Sequence, residues 1–167
     1  MGAGMAGILS GIKLLEAGIT NCAIYEKADR IGGTWRENTY PGLTCDVPSH
    51  AYTYSFEPNP DWSHMLPPGA EIQEYFERTT RKYGVDKLLR LNEEIVSCEF
   101  RNGRWHLETK TGTRDEADIV IAAGSATRRA PVDGSRPSAS DSSGSEPCPS
   151  SRTIRPVVIW RAVQSSI

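Results

Sequence analysis

Apolar residues recur at helical spacing from Ile8 to Ala17: Ile8, Leu9, Ile12 and Leu15, with Leu14 beside them. Gly18 supplies a stop. The apolar run Cys22-Ala23-Ile24-Tyr25 then reads as a short strand ending at Glu26. Glu71 to Tyr83 predicts an amphipathic helix, with Ile72, Tyr75, Phe76, Thr79 and Tyr83 on one side and Gly84 as its end. Val85 to Leu91 is a short extended or mixed link. Ile95 to Phe100, Trp105 to Thr109 and Ala117 to Ala123 predict three strands. Asn102-Gly103 is a tight-turn signal between the first two, and Thr111-Gly112 offers a second turn. Asp118 to Gly124 is a buried-strand run closing on small residues. From Ser125 to Ser151 the periodicity vanishes into Ser, Pro, Arg and Asp, which cannot bury enough surface to offset ordering entropy, so disorder is expected. Val157-Val158-Ile159-Trp160 is strand-like but has no evident place in the architecture.

The chain has 167 residues, enough for one domain with a core, and a net charge of −2. No basic patch argues for nucleic acid, and no apolar run reaches membrane-spanning length. The N-terminal apolar stretch lacks a basic lead-in and is broken by Lys13 and Glu16, unlike a signal peptide. Cys22, Cys45, Cys98 and Cys148 show no Cys-x-x-Cys pairing and read as reduced thiols, which points to the cytoplasm. The oligomeric state is not legible.

Candidate chemistry begins at Gly2-Ala3-Gly4-Met5-Ala6-Gly7, a Gly-x-Gly-x-x-Gly turn opening the first helix. The first glycine permits a tight turn, the second lets backbone approach a pyrophosphate, and the third lets the helix pack on a sheet. The helix start adds unpaired N–H groups and the positive end of its dipole. Alone, the pattern also fits an ordinary Gly-rich turn. Glu26 lies about 20 residues on, where a ribose 2′-OH needs an acceptor, and it repels a 2′-phosphate. Together they predict an adenine dinucleotide of the FAD or NAD kind rather than NADP. In such a unit the glycine turn follows the middle strand of a doubly wound sheet, yet this chain starts at Met1. The expectation is a chain shortened at its start, with two raw strand edges beside the missing first strand.

Gly32-Gly33-Thr34-Trp35 follows closely. The glycines admit close backbone approach by a bulky object, Thr34 adds a hydroxyl, and Trp35 adds a flat surface with one donor. A glycine turn before a core tryptophan is the bland alternative. The aromatic, Pro/Gly-punctuated stretch from Asn38 to Phe56 has the character of a functional loop. Its Cys45, Asp46 and His50 have no second cluster to complete a metal shell, so no metal site is assigned. Trp62 and His64, in the Pro-rich connector from Pro58 to Gly69, and His106, on a strand, read as surface or packing residues.

Gly32-Gly33-Thr34-Trp35, Tyr40-Pro41-Gly42, Cys45-Asp46, Ser49 and Tyr52 through Phe56 resemble the N-terminal part of the Baeyer–Villiger and related flavin-containing monooxygenases, over Gly2 to Ala123. The resemblance implies an α/β, Rossmann-like FAD-binding domain with a three-stranded β-meander, to which the readings above add the missing first strand and the disordered C-terminal tail. It implies a partial domain over 1–124: dinucleotide motif 1–35, flavin-facing loop 36–70, helix and link 71–91, meander and return strand 92–124. Residues 125–167 form the tail. The implied cofactors are FAD and, in the intact family, NADPH; the implied partner is a small-molecule substrate. Gly2, Gly4 and Gly7 would frame the FAD pyrophosphate, and Glu26 would hold the adenosine ribose. Gly33, Thr34 and Trp35 would line the ribityl–flavin side, Tyr52 would touch the flavin portion, and Ile95 would meet adenine through its backbone. Asp46 would sit near the isoalloxazine and influence the nicotinamide pocket, a supporting catalytic role. Arg36-Glu37 departs from the aromatic pair of the best-known Baeyer–Villiger members, which leaves ketone and heteroatom substrates both open. No second Gly-rich turn for NADPH follows, so a reading-frame shift near Gly124 and an enzyme inactive alone are expected. Two rival readings are a non-catalytic gene remnant and an NAD-dependent oxidoreductase with a single dinucleotide fold.

Overall fold

The computed structural model describes residues 2–123 and the backbone of 157–160. The expected disorder over 125–151, the frame shift near Gly124 and Cys148 lie outside the described residues.

The elements run α1 (Met5–Glu16), β1 (Cys22–Tyr25), α2 (Thr34–Glu37), α3 (Gly69–Lys82), a 3-10 turn (Val85–Leu88), β2 (Leu89–Arg90), β3 (Ile95–Arg101), β4 (Arg104–Thr109), β5 (Arg114–Ala117), β6 (Ile119–Ala122) and β7 (Val157–Trp160). They form a four-stranded sheet in the order β2-β1-β7-β6 and an antiparallel sheet in the order β3-β4-β5. This is a Rossmann-like α/β fold carrying a three-stranded meander.

β1 sits between two cores because successive strand side chains point to opposite faces. Ile24 joins Ile8 and Ile12 of α1, Ile72, Tyr75 and Phe76 of α3, and Val85. Ala23 and Tyr25 pack the other way, against Ile95, Leu107 and Ala117 of the meander. α1 is drawn unusually close to β1 at Gly11, where a Cβ would stand 2.8 Å from Ile24 Cδ1 and 2.9 Å from Val85 Cγ1. Gly84 ends the α3 region in the left-handed conformation, φ +70°. The link after it holds the 3-10 turn and β2, which pairs parallel with β1 at Ile24↔Leu89.

The hairpin turn between β3 and β4 falls where expected, with Asn102 at φ 52° and Gly103 at φ 80°. The expected strand over 117–123 is corrected. It divides at Asp118: β5 completes the meander, while β6 crosses to the other sheet. A run read as one strand therefore serves two sheets, because pairing partners rather than apolar content decide where a strand belongs.

The two raw edges are also corrected. β7 lies between β1 and β6, antiparallel to both, pairing Ala23↔Ile159 on one side and Val120↔Ile159 on the other. It takes the place that a parallel middle strand has in a doubly wound sheet. Buried N–H and C=O groups need partners, and an antiparallel ladder satisfies them as well as a parallel one.

Candidate functional site

Two glycine turns meet at the N-terminal end of α1. Gly2 has φ +95°, a left-handed conformation that L side chains rarely adopt, and it opens the turn. Gly32 N–H donates to the Ala3 carbonyl at 2.8 Å, so the second turn hangs from the first. Gly33, at φ +54°, faces Gly4 so closely that a Cβ on it would stand 3.3 Å from Gly4 Cα. The outcome is a stretch of bare backbone contributed by two segments, beside a helix start. A Cβ on Gly7 would drive into the Gly2 carbonyl oxygen. Gly7 thus preserves the turn itself, and close packing of α1 on the sheet falls instead to Gly11.

Glu26 follows β1 and is buried beneath this turn, 3% exposed. Its Oε2 accepts from Ala3 N–H at 2.7 Å, and its Oε1 from Ala28 N–H at 3.1 Å. Arg36 of α2 donates from Nη1 to the same Oε1 at 3.0 Å and to the Arg30 carbonyl at 2.9 Å, and from Nη2 to Glu37 at 2.7 Å. Both Arg36 and Glu26 are buried at their charged ends. Lys27 closes the row on Glu37 at 3.2 Å, so the four formal charges sum to zero. Arg36 therefore offsets the repulsion of a 2′-phosphate expected from Glu26 alone. Lys27 leads the neighbouring charges that hold the Glu37 carboxyl below its ordinary range, against a desolvation that works the other way and is the largest single influence.

The aromatic loop is tied to the same corner. Trp35 Nε1–H donates to Tyr52 Oη at 3.0 Å, their rings meeting edge to face at 5.6 Å. Tyr54 is buried, and its hydroxyl donates to the Met5 carbonyl in the first turn of α1 at 2.7 Å. Its amide donates to Tyr75 Oη, which donates onward to the Glu57 carbonyl. Burial raises the Tyr54 hydroxyl far above the ordinary tyrosine value, with the neighbouring Tyr75 and Tyr52 adding to it. Asp46 is exposed on the loop, beside Cys45, whose amide donates to the Pro67 carbonyl at 2.9 Å. Gln73 of α3 presses its side-chain oxygen into the space over Gly32 where a Cβ would sit, and its amide donates to the Ile31 carbonyl at 3.0 Å.

The structure thus gathers Gly2, Gly4, Gly7, Glu26, Gly33, Thr34, Trp35 and Tyr52 around one corner, with Thr34 exposed at the start of α2. Ile95 lies apart in the second core, its side chain buried between β1 and the meander. Trp62 packs on Tyr75 at 5.5 Å, and His106 faces Glu116 at 3.3 Å. Arg36, Tyr54, Gln73 and Gly11 are the residues that the sequence reading missed as contributors here. For Tyr54 a signal existed, in the alternation Tyr52, Tyr54, Phe56; for Gln73 and Gly11 there was none.

Comparison with known proteins gives the same picture. Residues 1–67 match a family described as an NAD(P)-binding Rossmann-like domain. An uncharacterized monooxygenase of Mycobacterium tuberculosis is 52% identical over 123 residues, which is 74% of this chain and 25% of that protein. An FAD-binding monooxygenase of Aspergillus terreus is 40% identical, over 72% of this chain and 23% of its own. A Baeyer–Villiger monooxygenase of Streptomyces coelicolor is 38% identical, over 74% and 24%. Among solved structures, an oxidized steroid monooxygenase bound to NADP superposes with TM-score 0.66 at 32% identity, covering 70% of this chain and 23% of that one. The resemblance to Baeyer–Villiger-type monooxygenases stated from the sequence is borne out over the N-terminal part, and the chain spans about a quarter of the length of these relatives. Among the described residues, no helix is long and apolar enough to cross a membrane.

Proposed function

We propose that residues 2–123 are the FAD-binding front portion of an NADPH-dependent flavin monooxygenase that inserts one oxygen atom from O2 into a ketone or heteroatom substrate. The observation that carries this reading is the meeting of the two glycine turns over the buried Glu26 carboxylate. Without Cβ atoms the two turns pack against each other at Gly4 and Gly33, so backbone rather than side chains from both segments is offered to a pyrophosphate. Gly2, Gly4 and Gly7 then hold the pyrophosphate turn, with the N–H groups of the α1 start as donors. A carboxylate has about four acceptor sites, and the three bonds on Glu26 leave one for a ribose hydroxyl. Gly33, Thr34, Trp35 and Tyr52 line the flavin side; the Trp35–Tyr52 bond fixes the two rings against each other. Ile95 serves the adenine end through its backbone, and Asp46 orients the nicotinamide side from its exposed loop position.

FAD held there would supply the redox chemistry between NADPH and dioxygen. The protein's part is binding, orientation and exclusion of water. A second dinucleotide site and most of a substrate pocket would come from the lengths of the relatives that this chain does not span, so the chain by itself turns over little or nothing.

The test is direct. The full chain is purified, titrated with FAD and dialysed, and its visible absorbance and flavin fluorescence are read. Saturable retention of FAD is the expected result. A colourless protein that stays so with added FAD overturns the reading; saturable NAD binding without flavin would replace it with a single-fold NAD-dependent oxidoreductase.

A further inference from the structure

Arg36 stands where the sequence departs from the aromatic pattern of the best-known relatives, and the structure gives that departure a task. A guanidinium only 7% exposed costs desolvation energy unless it is fully engaged. Its three acceptors come from three segments: Glu26 after β1, Arg30 in the following loop, and Glu37 on α2. The end of a glutamate side chain rotates broadly unless it is held. Ala3 N–H takes one acceptor site on Oε2, and Ala28 N–H takes one on Oε1. Arg36 takes the other on Oε1, at 3.0 Å. The acceptor left over is therefore on Oε2, the oxygen that also bonds Ala3 inside the first glycine turn.

We infer that Arg36 is a positioning residue for the adenosine ribose: by filling Oε1 it commits the open acceptor of Glu26 to the Oε2 side, next to the phosphate-binding turn. Arg36 itself touches no cofactor; it acts through the carboxylate. The inference rests on the FAD reading above, and its test separates the two.

Affinities of the full chain, the Arg36→Gln variant and the Arg36→Lys variant are measured for FAD and for FAD analogues lacking the 2′- or the 3′-hydroxyl of the adenosine ribose. A site built to bond a hydroxyl rejects the analogue without it. The unmodified chain is expected to prefer FAD over at least one analogue by about 10-fold, the lower end for a hydrogen bond to a charged group. Arg36→Gln is expected to shrink that ratio to about 3-fold or less, while Arg36→Lys, which keeps the charge and guards against loss of fold, retains most of it. A purely structural role would weaken all ligands together and leave the ratio unchanged; that outcome overturns the inference. If the unmodified chain binds FAD and analogues equally, the inference fails while the FAD reading stands. If it binds none of them, both fail.

Discussion

At the scale of single residues, two glycines of α1 differ in what surrounds them. A methyl on Gly7 meets the carbonyl of Gly2, which is backbone and cannot move without opening the turn. A methyl on Gly11 meets Ile24 Cδ1 and Val85 Cγ1 in the packed core; the isoleucine tip is flexible, but the β-branched valine is stiff at χ1 and both side chains are fully buried. Both substitutions gain about 1 kcal/mol of helix propensity. We expect both substitutions to lose about 1–3 kcal/mol to overpacking, Gly7→Ala with loss of FAD because the turn opens and Gly11→Ala with FAD retained because the turn is untouched. Urea denaturation with and without FAD checks both. The buried tyrosines give a pH prediction. Folding raises the Tyr54 and Tyr75 hydroxyls above their ordinary value of 10.0, chiefly through burial. The unfolded chain then gives up these protons first, so stability is fully present below that pH and falls as pH rises above it. Each tyrosine contributes up to about 1.4 kcal/mol per pH unit in that window. Tyr54→Phe is expected to flatten the alkaline limb of the stability profile; an unchanged slope would refute the assignment.

At the scale of elements, the sheet depends on β7. Ile159 pairs with Ala23 on one side and Val120 on the other, so a proline there removes an N–H from a doubly flanked strand. Ile159→Pro is expected to cost about 3 kcal/mol. It should also speed amide exchange in β1 and β6 while leaving the β3–β4 hairpin protected. Equal protection before and after would mean that β7 does not hold that position in solution. The aromatic loop depends on α3 in the same way. Tyr75→Phe strips the buried Tyr54 amide of its acceptor and the Glu57 carbonyl of a donor. The expected loss is about 1–3 kcal/mol, measured by thermal unfolding, together with weaker flavin binding as the loop loosens.

At the scale of the whole molecule, the chain spans about a quarter of the length of its relatives, and the proposed function assigns it one dinucleotide corner. We expect FAD retention without NADPH-dependent oxygen uptake; sustained substrate-dependent oxygen uptake by the purified chain would show that a complete monooxygenase site forms from this chain alone.

The sequence by itself determined what rests on local periodicity and backbone freedom. Helical spacing located α1 and α3, Asn102-Gly103 located a hairpin, Gly2 marked a tight turn and Gly33 a close approach of backbone. Such signals survive without tertiary structure because they are steric properties of a few adjacent residues. The tertiary structure alone decided what depends on partners distant in the chain. It divided the run at 117–123 between two sheets, seated Val157–Trp160 in the middle of one of them, and moved close helix–sheet packing from Gly7 to Gly11. It also turned Arg36 from a departure into the partner of Glu26. An arginine carries no sign of whether its charge meets water or a buried carboxylate; only the packed fold brings that carboxylate within 3.0 Å.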